Sequence, residues 1–414
     1  MAGILNRMAE SCFRKVKCMI KSIPVTNCSS CAACANICAR NAISMQLDLE
    51  GFYRPIIDND KCISCGACER VCPWMNTVSC PNESRDNPQT VAAYAKDDSI
   101  RMDSSSGGIF TVLAEKIIDN GGVCVGVAQI SSTKFGHIIV DNKADLFKLR
   151  GSKYVQADAG MIYREVRALL KAGKKVLFSG TPCQVAALYA VLGHAAVTAD
   201  LTTVDVVCHG TPSVKVFEKY VTEIEKDRSA HVLSTRFRDK RNGWRLFSMT
   251  SSFNTISGDC FQISETLHED KFMRVFLQNI CLNTSCVECK YGKLPRVADI
   301  TLGDYWNIAS VHPEMDDNKG TSIVLLNTDH GKMLFNSIAD YIVNCESKLE
   351  YAITGNPCIV RSCKPHSKRS EFFANLDKYA MNGLIHKYCP YPSFLKRLYI
   401  IARRTMKRMV ESIK

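Results

Sequence analysis

The sequence predicts an α+β protein in which a small cysteine-rich domain precedes a larger mixed α/β domain. Three observations support this fold class. Cysteines recur in two similar runs within residues 25–80. Between residues 91 and 385, apolar β-branched segments alternate with helical patterns, as expected for a parallel or mixed sheet. The length of 414 residues exceeds what one hydrophobic core usually serves, so more than one domain is expected.

The sequence predicts a linker between the two domains and a helix on either side of them. Residues 81–90 are polar and contain two prolines, which predicts a linker between domains at residues 25–80 and 91–385. Basic amphipathic helices are expected at residues 1–24 and 391–414, because apolar residues recur there at helical spacing among lysines and arginines. Such helices can lie on a membrane surface or pack on the protein itself, and the sequence leaves both open.

Local patterns place the elements within each domain. In the small domain, Ala42–Ile57 predicts two short strands around a turn at Glu50 and Gly51. In the large domain, strands are expected at residues 122–130, 175–178 and 203–207, helices at residues 109–118, 184–192 and 215–226, and antiparallel strands within residues 231–265.

Composition narrows the class of protein. The net charge of +12 suits an acidic partner, but the basic residues concentrate at the two ends without interleaved aromatics, which argues against nucleic acid. No apolar run reaches the ~18 residues of a membrane span. Residues 1–20 contain no signal-peptide core, so a cytoplasmic setting is expected, peripheral to the inner face of the membrane if the helices bind there. In such a reducing compartment, the 22 cysteines indicate metal rather than disulfides.

Eight cysteines form two runs with the spacing C-x2-C-x2-C-x3-C, which is typical of bacterial ferredoxins with two 4Fe-4S clusters. The fourth cysteine of each run is expected to ligate the cluster of the other run. Paired zinc sites are the alternative, but they usually need a different spacing. Ala39 stands where a proline is expected after the first run. The expected ligand sets are Cys28, Cys31, Cys34 and Cys72 for one cluster and Cys38, Cys62, Cys65 and Cys68 for the other.

Four further cysteines suggest a third 4Fe-4S cluster. Cys183 lies between a strand and a helix, Cys208 ends a strand, and Cys286 and Cys289 form a C-x-x-C pair. Strand ends of an α/β sheet meet at one edge, where sites gather. The alternative is that some are ordinary buried cysteines. The remaining cysteines are interpreted as structural or free thiols: Cys12, Cys18, Cys80, Cys124, Cys260, Cys345, Cys358, Cys363 and Cys389.

Two small-residue loops are candidates for binding a cofactor phosphate or ring. Ser104–Gly108 precedes a helical pattern, and such a loop can present backbone N–H groups to an anion. Arg150–Tyr154 is basic and carries an aromatic residue. No G-x-G-x-x-G fingerprint follows a strand. A flavin is expected on chemical grounds, since it couples one-electron clusters to hydride chemistry.

The ordered set of motifs resembles the family of coenzyme F-420 hydrogenase and dehydrogenase beta subunits, fused here to a ferredoxin domain. The set runs from Ser104–Gly108 through Arg150–Tyr154, Gly180–Gln184 and Cys208–Pro212 to the C-x-x-C and Ala298–Trp306. The resemblance implies FAD and a 4Fe-4S cluster in the α/β part. It carries that cluster onto Cys183, Cys208, Cys286 and Cys289, with Cys281 as the substitute for any wrong ligand. The resemblance also implies that FAD is bound by residues of the two loops: Ser105, Ser106, Gly107, Gly108, Gly151, Ser152, Lys153 and Tyr154.

The expected function is an iron–sulfur flavoprotein oxidoreductase. Electrons are expected to pass between the ferredoxin-type clusters and a reducible organic substrate through FAD. The substrate is left open between a deazaflavin-like molecule and a biosynthetic intermediate, for example in surface-polysaccharide synthesis. The partner is expected to be a redox protein or reduced ferredoxin. The alternative is a non-catalytic electron-transfer subunit of a larger complex. His209 and Asp304 lie near the motifs, but no acid–base residue is assigned.

Overall fold

The computed structural model describes residues 24–197 and 199–390, so the predicted terminal helices lie outside the described residues, apart from Pro24. The small domain contains β1 (Ile43–Leu47), β2 (Tyr53–Ile57), α1 (Ala33–Ile37) and α2 (Ala67–Arg70). The two strands pair antiparallel, which confirms the predicted hairpin. Each short helix carries one cysteine of its run, Cys34 in α1 and Cys68 in α2, and the two helices pack together.

The large domain is built on a mixed sheet of eight strands, in the order β13-β3-β12-β11-β7-β6-β4-β5. β4, β6, β7 and β11 are parallel neighbours along this order, and the other pairs are antiparallel. The fold class predicted from the sequence is confirmed. The strands are β3 (Gln89–Ala95), β4 (Val123–Gln129), β5 (Phe135–Val140), β6 (Val176–Gly180), β7 (Leu201–Val206), β8 (Ala230–Asp239), β9 (Ser248–Thr255), β10 (Cys260–Thr266), β11 (Ile300–Asp304), β12 (Ser322–Leu326) and β13 (Ile342–Ser347).

Helices cover both faces of this sheet. Because strand side chains alternate between faces, Cys124 packs towards one layer, whereas Val123 and Val125 pack towards the other. The described helices of the large domain, including those that pack on the second sheet, are α3 (Asp98–Asp103), α4 (Ile109–Asp119), α5 (Ile162–Lys171), α6 (Pro182–Leu192), α7 (Val214–Arg228), α8 (Lys271–Leu277), α9 (Ile308–Val311), α10 (Asp329–Asn336), α11 (Leu349–Gly355), α12 (Arg369–Ala374) and α13 (Met381–Tyr388). α4 and α10 pack on the face of the sheet that carries Cys124. α5 and α6 pack on the face that carries Val123 and Val125.

A second sheet confirms the antiparallel strands predicted within residues 231–265. β9 lies between β8 and β10, and both pairs are antiparallel. Its buried face and the helices α7, α8, α12 and α13 enclose a core rich in phenylalanine. Phe217 lies at the centre of this core, with ring centroids of Phe272 and Phe237 at 5.0 and 5.5 Å.

The hairpin turn of the small domain docks on the large domain. Gly51 has a φ of +80°, and a Cβ there would lie 2.3 Å from Cβ of Lys215, so the turn requires glycine. The carbonyl of Gly51 accepts the Val214 N–H at 3.0 Å. The neighbouring Glu50 forms an ion pair with Arg369 at 2.6 Å. The hairpin is thereby held at the first turn of α7.

The parallel strands β6, β7 and β11 end side by side at one edge of the large sheet. β6 is followed by Cys183, β7 is followed by Cys208, and β11 ends at Asp304. Connections after parallel strands of an α/β sheet form its usual ligand-binding edge. The topology therefore gathers three sequence motifs at one place.

Candidate functional site

The first predicted ligand set lines one cavity in the small domain. Cys28, Cys31, Cys34 and Cys72 surround a space of about 410 Å³, together with apolar residues and Trp74. Burial, and after it the charges of neighbouring thiols, raise the pKa of Cys34 well above its ordinary value. Deprotonation is therefore costly unless a cation compensates, and thiolates on iron have that compensation. The donor set and the space fit a 4Fe-4S cluster.

The second predicted set includes one exposed cysteine, Cys65, and three that are partly buried, Cys38, Cys62 and Cys68. Cys38 and Cys68, together with Cys34 of the first set, pack against a small cluster formed by the buried residues Ala35 and Ile43. The Cys38 sulfur accepts the N–H of Ala42 at 3.3 Å, and Cys65 is exposed to solvent. Cys38 of the first run and Cys68 of the second run therefore share this apolar cluster, and the crossed assignment stays a prediction.

The third predicted set also converges. Cys183 lies in the first turn of α6 after Thr181 and Pro182, where a capping box and the proline define the helix start. Burial, followed by the charges of Cys286, Cys183 and Cys289, raises the pKa of the Cys208 thiol well above its ordinary value. The four thiols are thus close enough for the charge of one to affect the pKa of another.

The structure also places three cysteines outside the predicted ligand sets: Cys281, Cys358 and Cys363. Cys281, the expected substitute ligand, is fully buried in the phenylalanine-rich core. Burial, and after it the charge of Cys389, raise the pKa of the Cys281 thiol. Cys363 instead lies beside the third set, with its sulfur 3.8 Å from the carbonyl oxygen of Cys286. Cys358 lies 3.9 Å from Nδ1 of His209. The cysteine spacing could not predict these contacts, because Cys358 and Cys363 lie on a different segment of the chain from Cys286.

A cavity of about 420 Å³ opens at the carboxyl edge of the large sheet, within the usual range for ligand pockets. Both small-residue loops line it, and so do Cys183, Cys208 and Asp304. The structure therefore brings the predicted cofactor loops to the same place as two of the predicted third-cluster cysteines.

The first loop is tied to the second loop and to the sheet. The Ser105 hydroxyl accepts the N–H of Ser152 at 2.8 Å. The N–H of Gly107 donates to the Ser322 hydroxyl at 2.9 Å, so this amide is already engaged within the protein. A Cβ on Gly107 would lie 2.4 Å from the carbonyl oxygen of Ala93, which explains the glycine. Gly108 then precedes the first residue of α4.

Lys153 and Tyr154 hold the second loop in place. Nζ of Lys153 donates to the carbonyl oxygens of Arg150 and Lys148, at 2.8 and 3.1 Å. Burial lowers the pKa of Lys153 to about 7. The Tyr154 ring stacks on Phe276 with centroids 4.6 Å apart. The cavity wall therefore carries an amine whose charge changes near neutral pH.

Arg238 is a cavity residue that the sequence did not predict. It extends from β8 into the cavity wall and donates to the Tyr154 hydroxyl at 3.1 Å and to the Ser105 carbonyl at 3.2 Å. Its guanidinium also binds both carboxylate oxygens of Asp304. One side chain thus joins both cofactor loops to the end of β11. Among the described residues, its Nε atom is buried without a hydrogen-bond partner.

The two residues near the family motifs have defined partners. Asp304 accepts from Arg238 and from Nε1 of Trp244 at 3.0 Å, which makes it a fixed anion. His209 lies on the cavity wall with Nε2 2.6 Å from the Asn279 amide oxygen. These contacts hold both side chains in place.

The first cysteine cavity lies next to the third cysteine set. Burial, followed by charges that include Cys183 and Cys28, raises the pKa of Cys31. The Tyr163 hydroxyl of α5 donates to the Cys31 carbonyl at 2.9 Å. Arg164 on the same helix binds Asn41 at 2.6 Å and also contacts the Cys38 carbonyl. The two domains are therefore fixed together where their cysteines approach each other.

These features define the class of protein: a ferredoxin-type 4Fe-4S domain joined to an α/β domain with a ligand cavity. Family comparisons agree. Residues 27–76 match the 4Fe-4S dicluster domain. Residues 90–162 and 173–347 match the N-terminal and C-terminal parts of the coenzyme F420 hydrogenase/dehydrogenase beta subunit. The chain belongs to this family of beta subunits, with a fused dicluster domain, as the sequence predicted.

Individual relatives are distant. An uncharacterized protein of Methanocaldococcus jannaschii is 23% identical over 191 residues, which cover 40% of this chain and 52% of the relative. A component of the F420H2 dehydrogenase of Methanosarcina mazei is 21% identical over 166 residues, which cover 38% of this chain and 46% of the relative. The chain thus spans about half the length of these curated relatives.

Among solved structures, the F420-reducing NiFe hydrogenase complex of Methanosarcina barkeri contains a similar chain. The identity is 17% and the TM-score is 0.42, over 75% of this chain and 95% of that chain. Within residues 24–197 and 199–390, no helix is both long and apolar enough to cross a membrane.

Proposed function

We propose that this protein is an iron–sulfur flavoprotein oxidoreductase, which passes electrons between ferredoxin-type clusters and a reducible organic substrate through FAD. The observation that carries the proposal is the position of Cys183. This residue lines the cavity at the carboxyl edge of the sheet, and its charge is one of the causes that raise the pKa of Cys31 in the small-domain cavity. A continuous series of cysteine sites thus leads from the ferredoxin domain to the ligand cavity.

Three clusters account for the cysteine arrangement in this proposal. The outer cluster takes Cys38, Cys62, Cys65 and Cys68, and the inner one takes Cys28, Cys31, Cys34 and Cys72. The third takes Cys183, Cys208, Cys286 and Cys289. Support for the third set comes from the mutual effects of its thiols on their pKa values and from the N–H of Thr211, which donates to the Cys286 sulfur at 3.3 Å. Such N–H···S bonds are one means by which proteins tune cluster potentials.

The residues of the cavity at the sheet edge fit an anionic cofactor with an aromatic ring. The start of α4 lines the cavity and offers the positive end of an eleven-residue helix. Lys153 adds a cation when protonated, and the buried Nε of Arg238 can donate one more hydrogen bond. FAD, when bound, supplies exchange of single electrons with clusters and of hydride with an organic substrate. Its proposed contacts are Ser105, Ser106, Gly107, Gly108, Gly151, Ser152, Lys153 and Tyr154.

The substrate is proposed to be a deazaflavin-like molecule or a reducible biosynthetic intermediate. The family name and the Methanosarcina mazei relative, which is named as part of an F420H2 dehydrogenase, support the first choice. The electron donor or acceptor is proposed to be a redox protein such as reduced ferredoxin, meeting the protein at the outer cluster, where Cys65 is exposed. A cytoplasmic location, with membrane contact by residues 1–24 and 391–414, completes the proposal.

A non-catalytic electron-transfer subunit is the second candidate function. One observation favours it: the Methanosarcina mazei relative is named as one subunit of a dehydrogenase. In that case this chain passes electrons to a partner that carries the substrate site. The cavity at the sheet edge then binds no organic substrate.

Rapid mixing of reduced ferredoxin with the anaerobically purified protein tests the proposal. We expect cluster reduction to be followed by flavin reduction in the wild type, and by little flavin reduction in Cys183→Ala. Cys124→Ala is the matched control, because this buried thiol lies within the other layer of the sheet. Clusters that reduce in a protein without bound flavin would favour the second candidate instead.

A further inference from the structure

Three potential metal ligands meet at the β13 edge of the large sheet. His312 follows α9, Glu314 lies in the next short turn, and Cys345 lies on β13. One ligand atom from each lies within 4.8 Å of those of the other two. Nδ1 of His312 and a carboxylate oxygen of Glu314 are 3.5 Å apart. This cluster is separate in sequence from every cysteine of the proposed iron–sulfur sites.

The imidazole is already oriented for such a role. Nε2 of His312 lies 2.8 Å from the Ser347 hydroxyl, which also bonds the Tyr305 hydroxyl. The Tyr305 ring meets the imidazole edge-on, with centroids 6.3 Å apart. With Nε2 engaged, Nδ1 is the nitrogen that faces Glu314. Metal-bound histidines are commonly held in this way through their second nitrogen.

The chemistry of the three groups suits a divalent transition metal. Zn²⁺ binds sulfur at ~2.3 Å and nitrogen or oxygen at ~2.0–2.2 Å, so its tetrahedral ligands lie ~3.3–3.8 Å apart. The distance between His312 and Glu314 is already in that range. The Glu314 side chain is 65% exposed and can adjust towards the thiol. Burial, and after it the charge of Glu314, raise the pKa of Cys345, which a bound cation would offset.

We propose that His312, Glu314 and Cys345 bind Zn²⁺ or a similar divalent cation, with water in the fourth position. The bound ion ties the edge strand β13 to the segment that follows Asp304 and Tyr305. The Ser347 hydroxyl, which bonds both His312 and Tyr305, connects the proposed site to the residue that follows β11. The proposal does not depend on FAD or on the third cluster.

Zinc content is the first measurement. Full-length, iron-replete protein is dialysed anaerobically with zinc chloride and then against metal-free buffer, and zinc and iron are measured together. We expect about one zinc per chain in the wild type. We expect its loss in His312→Gln and Cys345→Ser, and retention in Cys260→Ser, which changes an exposed cysteine on β10. Iron content reports whether each variant is folded. If the iron content falls in His312→Gln or Cys345→Ser, the proposal is tested with Glu314→Gln, which changes an exposed side chain. This variant is expected to bind zinc at least tenfold more weakly than the wild type.

Zinc X-ray absorption identifies the ligands. One sulfur among nitrogen and oxygen neighbours supports the proposal. A shell of four sulfurs would place the zinc in an iron–sulfur site and overturn it. Absence of zinc from the wild type, or equal zinc in Glu314→Gln, would overturn it as well.

Discussion

Arg238 and Asp304 form a bidentate ion pair, with Nη1–Oδ2 at 2.9 Å and Nη2–Oδ1 at 3.0 Å. The guanidinium lies over Phe247 and Trp306, with 4.2 and 4.9 Å to the ring centroids. The Trp306 ring in turn stacks on Trp244 at 4.8 Å. The pair therefore anchors the second sheet to the carboxyl edge of the first, where the ligand cavity opens.

Asp304→Asn is predicted to destabilise the protein, because it leaves the buried guanidinium of Arg238 without its counter-charge. Breaking a buried pair costs about 3–5 kcal/mol, and the lower end applies because the Asp304 side chain is 18% exposed. We expect the thermal midpoint of anaerobic unfolding to fall by several degrees. Asp98→Asn is the control, since its pair with Lys319 is exposed and should contribute under about 1 kcal/mol. Equal midpoints for the two variants would contradict the assignment.

FAD binding is predicted to weaken as the pH rises through about 7. Burial lowers the pKa of Lys153 to about 7, below its ordinary value of 10.5, so the amine is charged below neutral pH and loses its charge above it. In the proposed site a phosphate of FAD interacts with the charged form of Lys153, so the Kd for FAD should increase up to about tenfold per pH unit above the pKa. Fluorescence titration with FAD between pH 6 and 9 measures the effect.

Lys153→Arg provides the matched test of this pH dependence. Arginine keeps its charge across the whole range, so the Kd of this variant should not rise between pH 6 and 9. Lys153→Met should bind more weakly at pH 6 and should also lack the slope. A slope that persists in Lys153→Arg would show that another group titrates.

Cys286→Ala is predicted to remove four irons. Three 4Fe-4S clusters correspond to about twelve irons per chain, and loss of a ligand from the third should leave about eight. Cys281→Ala should retain about twelve, because Cys281 packs in the phenylalanine-rich core beside Cys389. Iron analysis of anaerobically purified variants makes the comparison. The reverse result, with iron lost only from Cys281→Ala, would exchange the two residues in the ligand set.

Arg164→Ala is predicted to make the outer cluster labile. Arg164 binds the side chain of Asn41 and the carbonyls of Ala35, Asn36 and Cys38, so it holds the loop that carries Cys38. We expect iron release to a chelator to be several-fold faster than in the wild type. Lys171→Ala, which changes an exposed residue of the same helix, should release iron at the wild-type rate. Equal rates in both variants would reject this role.

Much of the fold could be predicted because its signals are local. The apolar β-branched segments at residues 175–178 and 203–207 became β6 and β7. Pro182 at a helix start marked α6. The third-cluster candidates could be named because Cys183 and Cys208 each follow a parallel strand, and parallel strand ends converge.

The parts that escaped prediction depend on long-range packing. Arg238 lies on an antiparallel strand in a stretch with no motif, yet it reaches two loops and Asp304 across 66 to 133 positions of sequence. Cys358 and Cys363 have no ligand-like spacing, and only the path of the chain after α11 brings them near His209 and Cys286. Such contacts are set by the tertiary fold and leave no periodic trace in the sequence.

Iron and flavin content of the anaerobically purified protein, read together with its visible spectrum, tests the central claim most directly. The claim is that ferredoxin-type clusters lead through Cys183 to FAD in the cavity at the sheet edge. The predicted result is about twelve irons and one FAD per chain, with flavin and cluster absorption superimposed. About eight irons and no flavin, even after incubation with FAD, would contradict it.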